Sequence, residues 1–456
     1  MTMISDDDGV DQQKATWWVI GGMSLIAPGA GLMATFTPTR LKLLGFGEGE
    51  VGIVVTAFSI GLLLGCFFAG RLVRRIGHIR ALAFFCSLAG LSILAMSIEP
   101  SLPLWALARL ATGFASTAIF IASQSWLNEI SPSDQRGRVL SIFYVIYIIG
   151  IGLGSLIMSR LDLDASTAFV LGAAFYMTAI VPFVFTPAPT PPPPEQAGMD
   201  LRGAFRISPL GFVASAAAGA LTMTFYGVGP VYALLEGFDK QQVGILMAIA
   251  PLGNLVLQLP MGLWSDKYDR RRILALAAVL TTASALTVGL LELSVLGGLF
   301  LVAAVFMVLA GSMETLYSVG AAHANDHAEQ GQHVSLASSL ILAWSIGAIA
   351  GPAAGSMLLE NFDPGALFLM FAAVSGLFVL YTFWRMSRRS VPPQETQEDF
   401  VAVSATAPIQ AQPEAYVEEM ADMMEEAENA ATPEGDRAGN REGDRKGDQK
   451  KDDPQR

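Results

Sequence analysis

Apolar residues run along the chain in stretches of about twenty, separated by short polar breaks. Six stretches centre on Trp17 to Thr37, Val51 to Gly70, Ala81 to Ile98, Pro103 to Trp126, Val139 to Met158 and Ser166 to Phe185. Six more centre on Pro209 to Leu235, Val243 to Leu263, Ile273 to Leu291, Val295 to Ser318, Leu336 to Leu358 and Pro364 to Trp384. A hydrocarbon layer about 30 Å thick takes roughly 20 residues of helix to cross, and a backbone amide facing lipid must find its partner within the segment. The pattern predicts an all-α membrane protein of about twelve transmembrane helices.

The apolar pattern fails in three places, which divide the chain. Residues 1–15 are polar and acidic, without the basic start and cleavage site of a signal peptide, so the first apolar stretch is expected to stay as a helix. Residues 187–206 open with a proline run that favours extended polyproline II, and read as a cytoplasmic linker between an amino-terminal bundle (16–186) and a carboxy-terminal bundle (207–388). Residues 389–456 are acidic and rich in Gly and Lys, lack apolar periodicity apart from a short helical stretch near Glu414 to Ala431, and read as a disordered cytoplasmic tail.

Composition agrees with this division, since 52% of the 456 residues are hydrophobic and only 15% charged. The net charge of -12 comes largely from the two ends and says little about partners. Basic residues near the helix ends say more: with the amino terminus inside, sixteen Lys and Arg fall on the cytoplasmic side and four on the other. That bias predicts both termini in the cytoplasm. Cys66 and Cys86 both fall in apolar runs, so no structural disulfide is expected.

The second half repeats the first. At an offset of 192, Pro38 to Ala83 aligns without gaps on Pro230 to Ala275, with thirteen identities in 46 positions. Gly45-Phe46 falls on Gly237-Phe238, Gly61 on Gly253 and Gly70 on Gly262, places where glycine permits turns or close helix approach. An even number of helices separates the copies, so the repeat is parallel about an axis along the membrane normal, with a solute site between the halves at mid-membrane.

Gly70-Arg71-Leu72-Val73-Arg74-Arg75-Ile76-Gly77-His78-Ile79-Arg80, its copy Gly262 to Arg272, Arg109-Leu110-Ala111-Thr112-Gly113 in the fourth helix, and the glycine series Gly150-x-Gly152-x-Gly154 and Gly347-x-x-x-Gly351-Pro352 resemble motifs of the major facilitator superfamily. Tyr226 to Tyr232, Ser265 to Arg271 and Glu314-Thr315-Leu316-Tyr317 are similar to a bacterial YcaD-like subgroup. The resemblance implies two pseudo-symmetric six-helix bundles and a secondary active transporter of the bacterial inner membrane, moving a small solute by alternating access. It implies a cytoplasmic gate built from Gly70, Arg75, Gly77 and His78, from Glu129 at the end of the fourth helix, and from Gly262, Asp266, Lys267, Arg270 and Arg272. Glu129 is expected to pair with Arg75 or His78. Arg74 stands where the family has an acid.

An ionisable side chain within a membrane helix is expensive and marks function. Arg109 in the fourth helix and Glu314 in the tenth are therefore the leading candidates for a substrate or proton pathway, with Gln124, Trp126, Tyr226, Asn254, Gln258 and Tyr317 as polar neighbours. Nothing resembles a nucleotide-binding loop, so coupling would come from an ion gradient, with the proton foremost. His323, His327 and His333 with Asp326 have spacing that touches on metal binding, but they read as a solvated loop after the tenth helix. No cofactor, metal or nucleic-acid partner is expected, and the protein is expected to be monomeric. No convergent catalytic set for a membrane enzyme is visible. A transporter-derived sensor or scaffold, docking through the acidic tail, is the alternative function.

Overall fold

The computed structural model describes residues 6–131, 136–162, 166–186, 200–291, 298–329 and 332–388. The proline run at 187–199 and the tail beyond 388 lie outside the described residues. Among the described residues, twelve helices are long and apolar enough to cross a membrane: α1 (Lys14–Leu43), α2 (Glu48–Ile76), α3 (His78–Ala95), α4 (Leu102–Asn128), α5 (Gly137–Arg160), α6 (Thr167–Val184), α7 (Pro209–Leu235), α8 (Lys240–Lys267), α9 (Arg270–Leu290), α10 (Leu299–Asn325), α11 (Ser335–Asn361) and α12 (Ala366–Arg388). Large apolar side chains such as Phe67, Leu91, Leu107, Leu153 and Leu377 stay exposed on the outer faces, as a lipid-facing surface requires.

The internal repeat extends to single hydrogen bonds. After α1, Leu44 N–H donates to Arg40 O, Gly45 N–H to Lys42 O and Phe46 N–H to Leu41 O. After α7, Glu236, Gly237 and Phe238 make the same three bonds to Tyr232, Leu234 and Ala233, each atom displaced by 192 residues. Gly45 and Gly237 hold φ of 89° and 86°, a left-handed conformation that a side chain would strain.

Helix pairing repeats as well. The contacts of α1 with α5, α2 with α4 and α3 with α6 recur as α7 with α11, α8 with α10 and α9 with α12, giving two pseudo-symmetric six-helix bundles. Glycine sets the closest approaches. A Cβ on Gly61 would collide with the Leu110 carbonyl, and one on Gly113 with that of Phe58; at the equivalent crossing, Gly253 faces Met307 O and Gly311 faces Gly253 O. The glycines of α5 and α11 act likewise, Gly154 against Pro28 O and Gly347 against Ala216 O.

The bundles meet through α2 with α11, α5 with α8 and α1 with α7. Gly52 packs against Ser356, Gly244 against Ser159, and Lys240 Nζ donates to Leu161 O at 3.1 Å. These contacts gather toward the end of the bundle opposite both termini.

Two expectations need correction. Leu201–Ile207, assigned to the extended linker, is a short helix capped by Asp200, whose carboxylate accepts from Gly203 N–H at 2.9 Å. Its Ala204 packs with Leu336 and Leu340 of α11, giving it an apolar face to bury. The tenth apolar stretch is also displaced: α10 starts at Leu299 and runs on to Asn325, seven residues beyond Ser318.

Candidate functional site

A cavity of about 140 Å³ lies between the bundles, walled by α1, α2, α4, α5 and α6 on one side and by α7, α8 and α10 on the other. Met33, Val55, Leu62, Ile148, Ile151 and Met223 make most of the wall apolar. Two charged residues break it, Arg109 from the first bundle and Glu314 from the second, together with Ser116, Tyr147, Tyr176, Tyr226 and Asn254.

Arg109 is only 8% exposed. Its guanidinium lies over the Phe58 ring, 4.1 Å from the centroid, with the Tyr176 hydroxyl as an electrostatic neighbour. Among the described residues no hydrogen bond or ion pair reaches the guanidinium. Such a cation–π contact is worth about 2 kcal/mol when desolvated, whereas removing the ion from water costs several kcal/mol even after relaxation. Phe58 therefore offsets only part of the cost.

Glu314 is 4% exposed and sits among three phenols, since Tyr144, Tyr226 and Tyr317 all lie within electrostatic range of it. Tyr144 crosses between the bundles, its hydroxyl donating to Gln258 Oε1 at 2.7 Å while Asn254 Nδ2 donates to it at 3.5 Å. Asn254–Gln258 is wound as a π-helix, with Leu259 N–H bonded to Asn254 O. Proline explains the rewinding: Pro260 has no N–H to offer the carbonyl four residues back, so the ladder shifts register there.

Of the residues singled out from sequence, Arg109, Tyr226, Asn254 and Glu314 line this cavity. Gln258 lies off the wall and is joined to the lining residue Asn254 through the Tyr144 hydroxyl. Gln124, Trp126 and Tyr317 are buried off its wall, and Trp126 packs beside His78 with ring centroids 6.4 Å apart. Phe58, Tyr144 and Tyr176 escaped notice, because an aromatic side chain in an apolar helix carries no sequence signature of its own.

The gate candidates lie at the end nearer the termini. Arg270, only 1% exposed, forms an ion pair with Asp326 at 2.7 Å and a longer one with Asp266 at 3.4 Å, and donates from Nη1 to Ser265 Oγ at 3.2 Å. Arg75, Lys267 and Arg272 are exposed. Gly77 holds φ of 85° in the turn between α2 and α3. Gly70 does not serve close packing, since a Cβ there would meet open space. His78 is 3.4 Å from Ser125 Oγ, while the Glu129 side chain, its expected partner, lies outside the described residues. His323 and Asp326 are buried rather than solvated, because α10 carries them inward. Among the described residues, no group of three potential ligands gathers as a metal site.

Beside this cluster Asp269 caps α9, accepting from Arg271 N–H at 3.0 Å and from the Arg271 side chain at 2.9 to 3.1 Å. Burial pushes the Asp269 carboxyl up, but the bonds to Arg271 outweigh it and hold the group below the ordinary carboxylate range.

The model of the Major Facilitator Superfamily matches residues 18–239 and 212–421, nearly the whole membrane portion. The chain belongs to the Major Facilitator Superfamily. It is similar to an uncharacterised transporter of this type from Enterobacter sp. strain 638, 25% identical over 373 residues that cover 81% of this chain and 96% of the relative. It is equally similar to YcaD of Escherichia coli, at 25% over 366 residues, 79% of this chain and 93% of YcaD. Among solved structures, the fold matches the nucleoside transporter NupG (TM-score 0.68, 15% identity, 82% of this chain and 100% of that one). It also matches a D-xylose-proton symporter (TM-score 0.66, 15% identity, 86% and 100%). As a superfamily member the chain is a multi-pass membrane transporter of small solutes and not an enzyme.

Proposed function

We propose that this transporter moves its solute by proton-coupled alternating access, with Arg109 and Glu314 as the ionisable groups of the cycle. The observation that carries the reading is that one buried charged residue from each bundle lines the same cavity. A guanidinium keeps its proton at any working pH, so the group that exchanges one is the carboxyl of Glu314. Bundles 16–186 and 207–388 rock about the cavity as a monomer, with both termini in the cytoplasm and the Arg270 cluster at the cytoplasmic gate.

The test is Glu314→Gln in proteoliposomes. Uptake driven by a proton gradient is expected to be lost while exchange of solute for solute continues. Full gradient-driven uptake by Glu314→Gln would remove the proton role, and absence of any flux from well-folded wild-type protein would favour a sensor or scaffold.

A further inference from the structure

Arg109 constrains the solute's chemistry. Its cation stands in the cavity wall, nine-tenths buried, with Phe58 against it and, among the described residues, no anion or carbonyl bonded to it. A π face attracts the charge but does not take up five N–H donors, which fit planar oxyanions in pairs. Met33, Val55, Leu62, Ile148, Ile151 and Met223 make most of the wall apolar, which favours a mostly apolar body, with Ser116, Tyr147, Tyr176, Tyr226 and Asn254 as the few polar groups it would meet. A volume of about 140 Å³ is close to the ~150 Å³ apolar cavity that accepts benzene. Glu314 lines the same space, so a second negative charge on the solute would face a carboxyl.

We propose that the solute is a small monocarboxylate with a compact apolar body, about the size of one six-membered ring, whose carboxylate is held by the Arg109 guanidinium while its body lies against the apolar wall. This rests on the cavity being the transport site. The rival is a zwitterion with its ammonium toward Glu314, and it becomes an outcome of the test.

Purified full-length protein is titrated with benzoate, cyclohexanecarboxylate, benzamide, benzylamine, phthalate and phenylglycine, reading affinity from calorimetry and from ligand-induced thermal stabilisation. Benzoate or cyclohexanecarboxylate is expected to bind at least about tenfold more tightly than the neutral amide, the amine or the dianion, because charge-assisted bonds are about twice as strong as neutral ones. In Arg109→Gln the margin of benzoate over benzamide should vanish. The wild-type series needs no variant, so it decides even if Arg109→Gln fails to fold. Equal binding of benzamide and benzoate, tighter binding of benzylamine or phenylglycine, or no binding by either carboxylate overturns the proposal. Arg109-dependent benzoate binding without flux in proteoliposomes would sink the transport reading and leave this one standing; gradient-driven flux of a neutral or cationic solute would do the reverse.

Discussion

Arg270 at the start of α9 and Asp326 just past the end of α10 form an ion pair of 2.7 Å with both side chains almost wholly buried. Breaking one partner of such a pair leaves an uncompensated charge, which costs about 3–5 kcal/mol, whereas replacing both with apolar residues is often neutral. Asp326→Asn is therefore expected to lower the melting temperature sharply in detergent, and Arg270→Met with Asp326→Leu to recover most of the loss. A double variant no more stable than Asp326→Asn would show that the cluster's remaining contacts, to Asp266 and Ser265, carry the stability instead.

The helix crossings at Gly61 and Gly253 face backbone carbonyls, which cannot swing aside as a flexible side chain can. Valine at either position should cost about 1–3 kcal/mol or more through overpacking, with a similar loss of monodisperse protein in both halves. Gly70→Ala, in open space within α2, should be neutral or slightly stabilising. Size-exclusion profiles and melting curves of the three variants check this, and a destabilised Gly70→Ala would contradict the geometry.

Asp269 gives a pH dependence of known sign. Its carboxyl is held below its unfolded value, so its contribution to stability is complete above the unfolded pKa, near ~3.9, and is lost as pH falls through the folded value. Asp269→Asn should melt lower than wild type at pH 7, and the difference should shrink toward pH 3. A gap that stays constant over that range would mean that the cap acts through geometry alone.

The twelve helices and the two-bundle fold were legible because lipid imposes a length and forbids unpaired backbone, and both constraints are written in hydropathy. The positions of Arg109 and Glu314 were legible because charge stands out in an apolar run. What surrounds them was not. Phe58 stacks on Arg109 from a different helix, and Tyr144 reaches Gln258 across the bundle interface, relationships that depend on three-dimensional register. Asp326 was misread for another reason: α10 continues past its apolar stretch into polar sequence, so burial there follows helix packing rather than composition.

The glycine crossings also provide a ruler. Counting from the carbonyls that the equivalent glycines Gly61 and Gly253 meet, those of Leu110 and Met307, Arg109 corresponds to Phe306 and Glu314 to Thr117. Each charge thus faces a neutral residue at its mirror position. A duplicated ancestor starts with two copies of every position, and here the copies kept the turns and crossings while diverging at these two places. Neither half on its own would carry both a fixed cation and a titratable acid, so separating them by gene fission would leave each fragment with one half of the chemistry, recoverable only when the two are produced together.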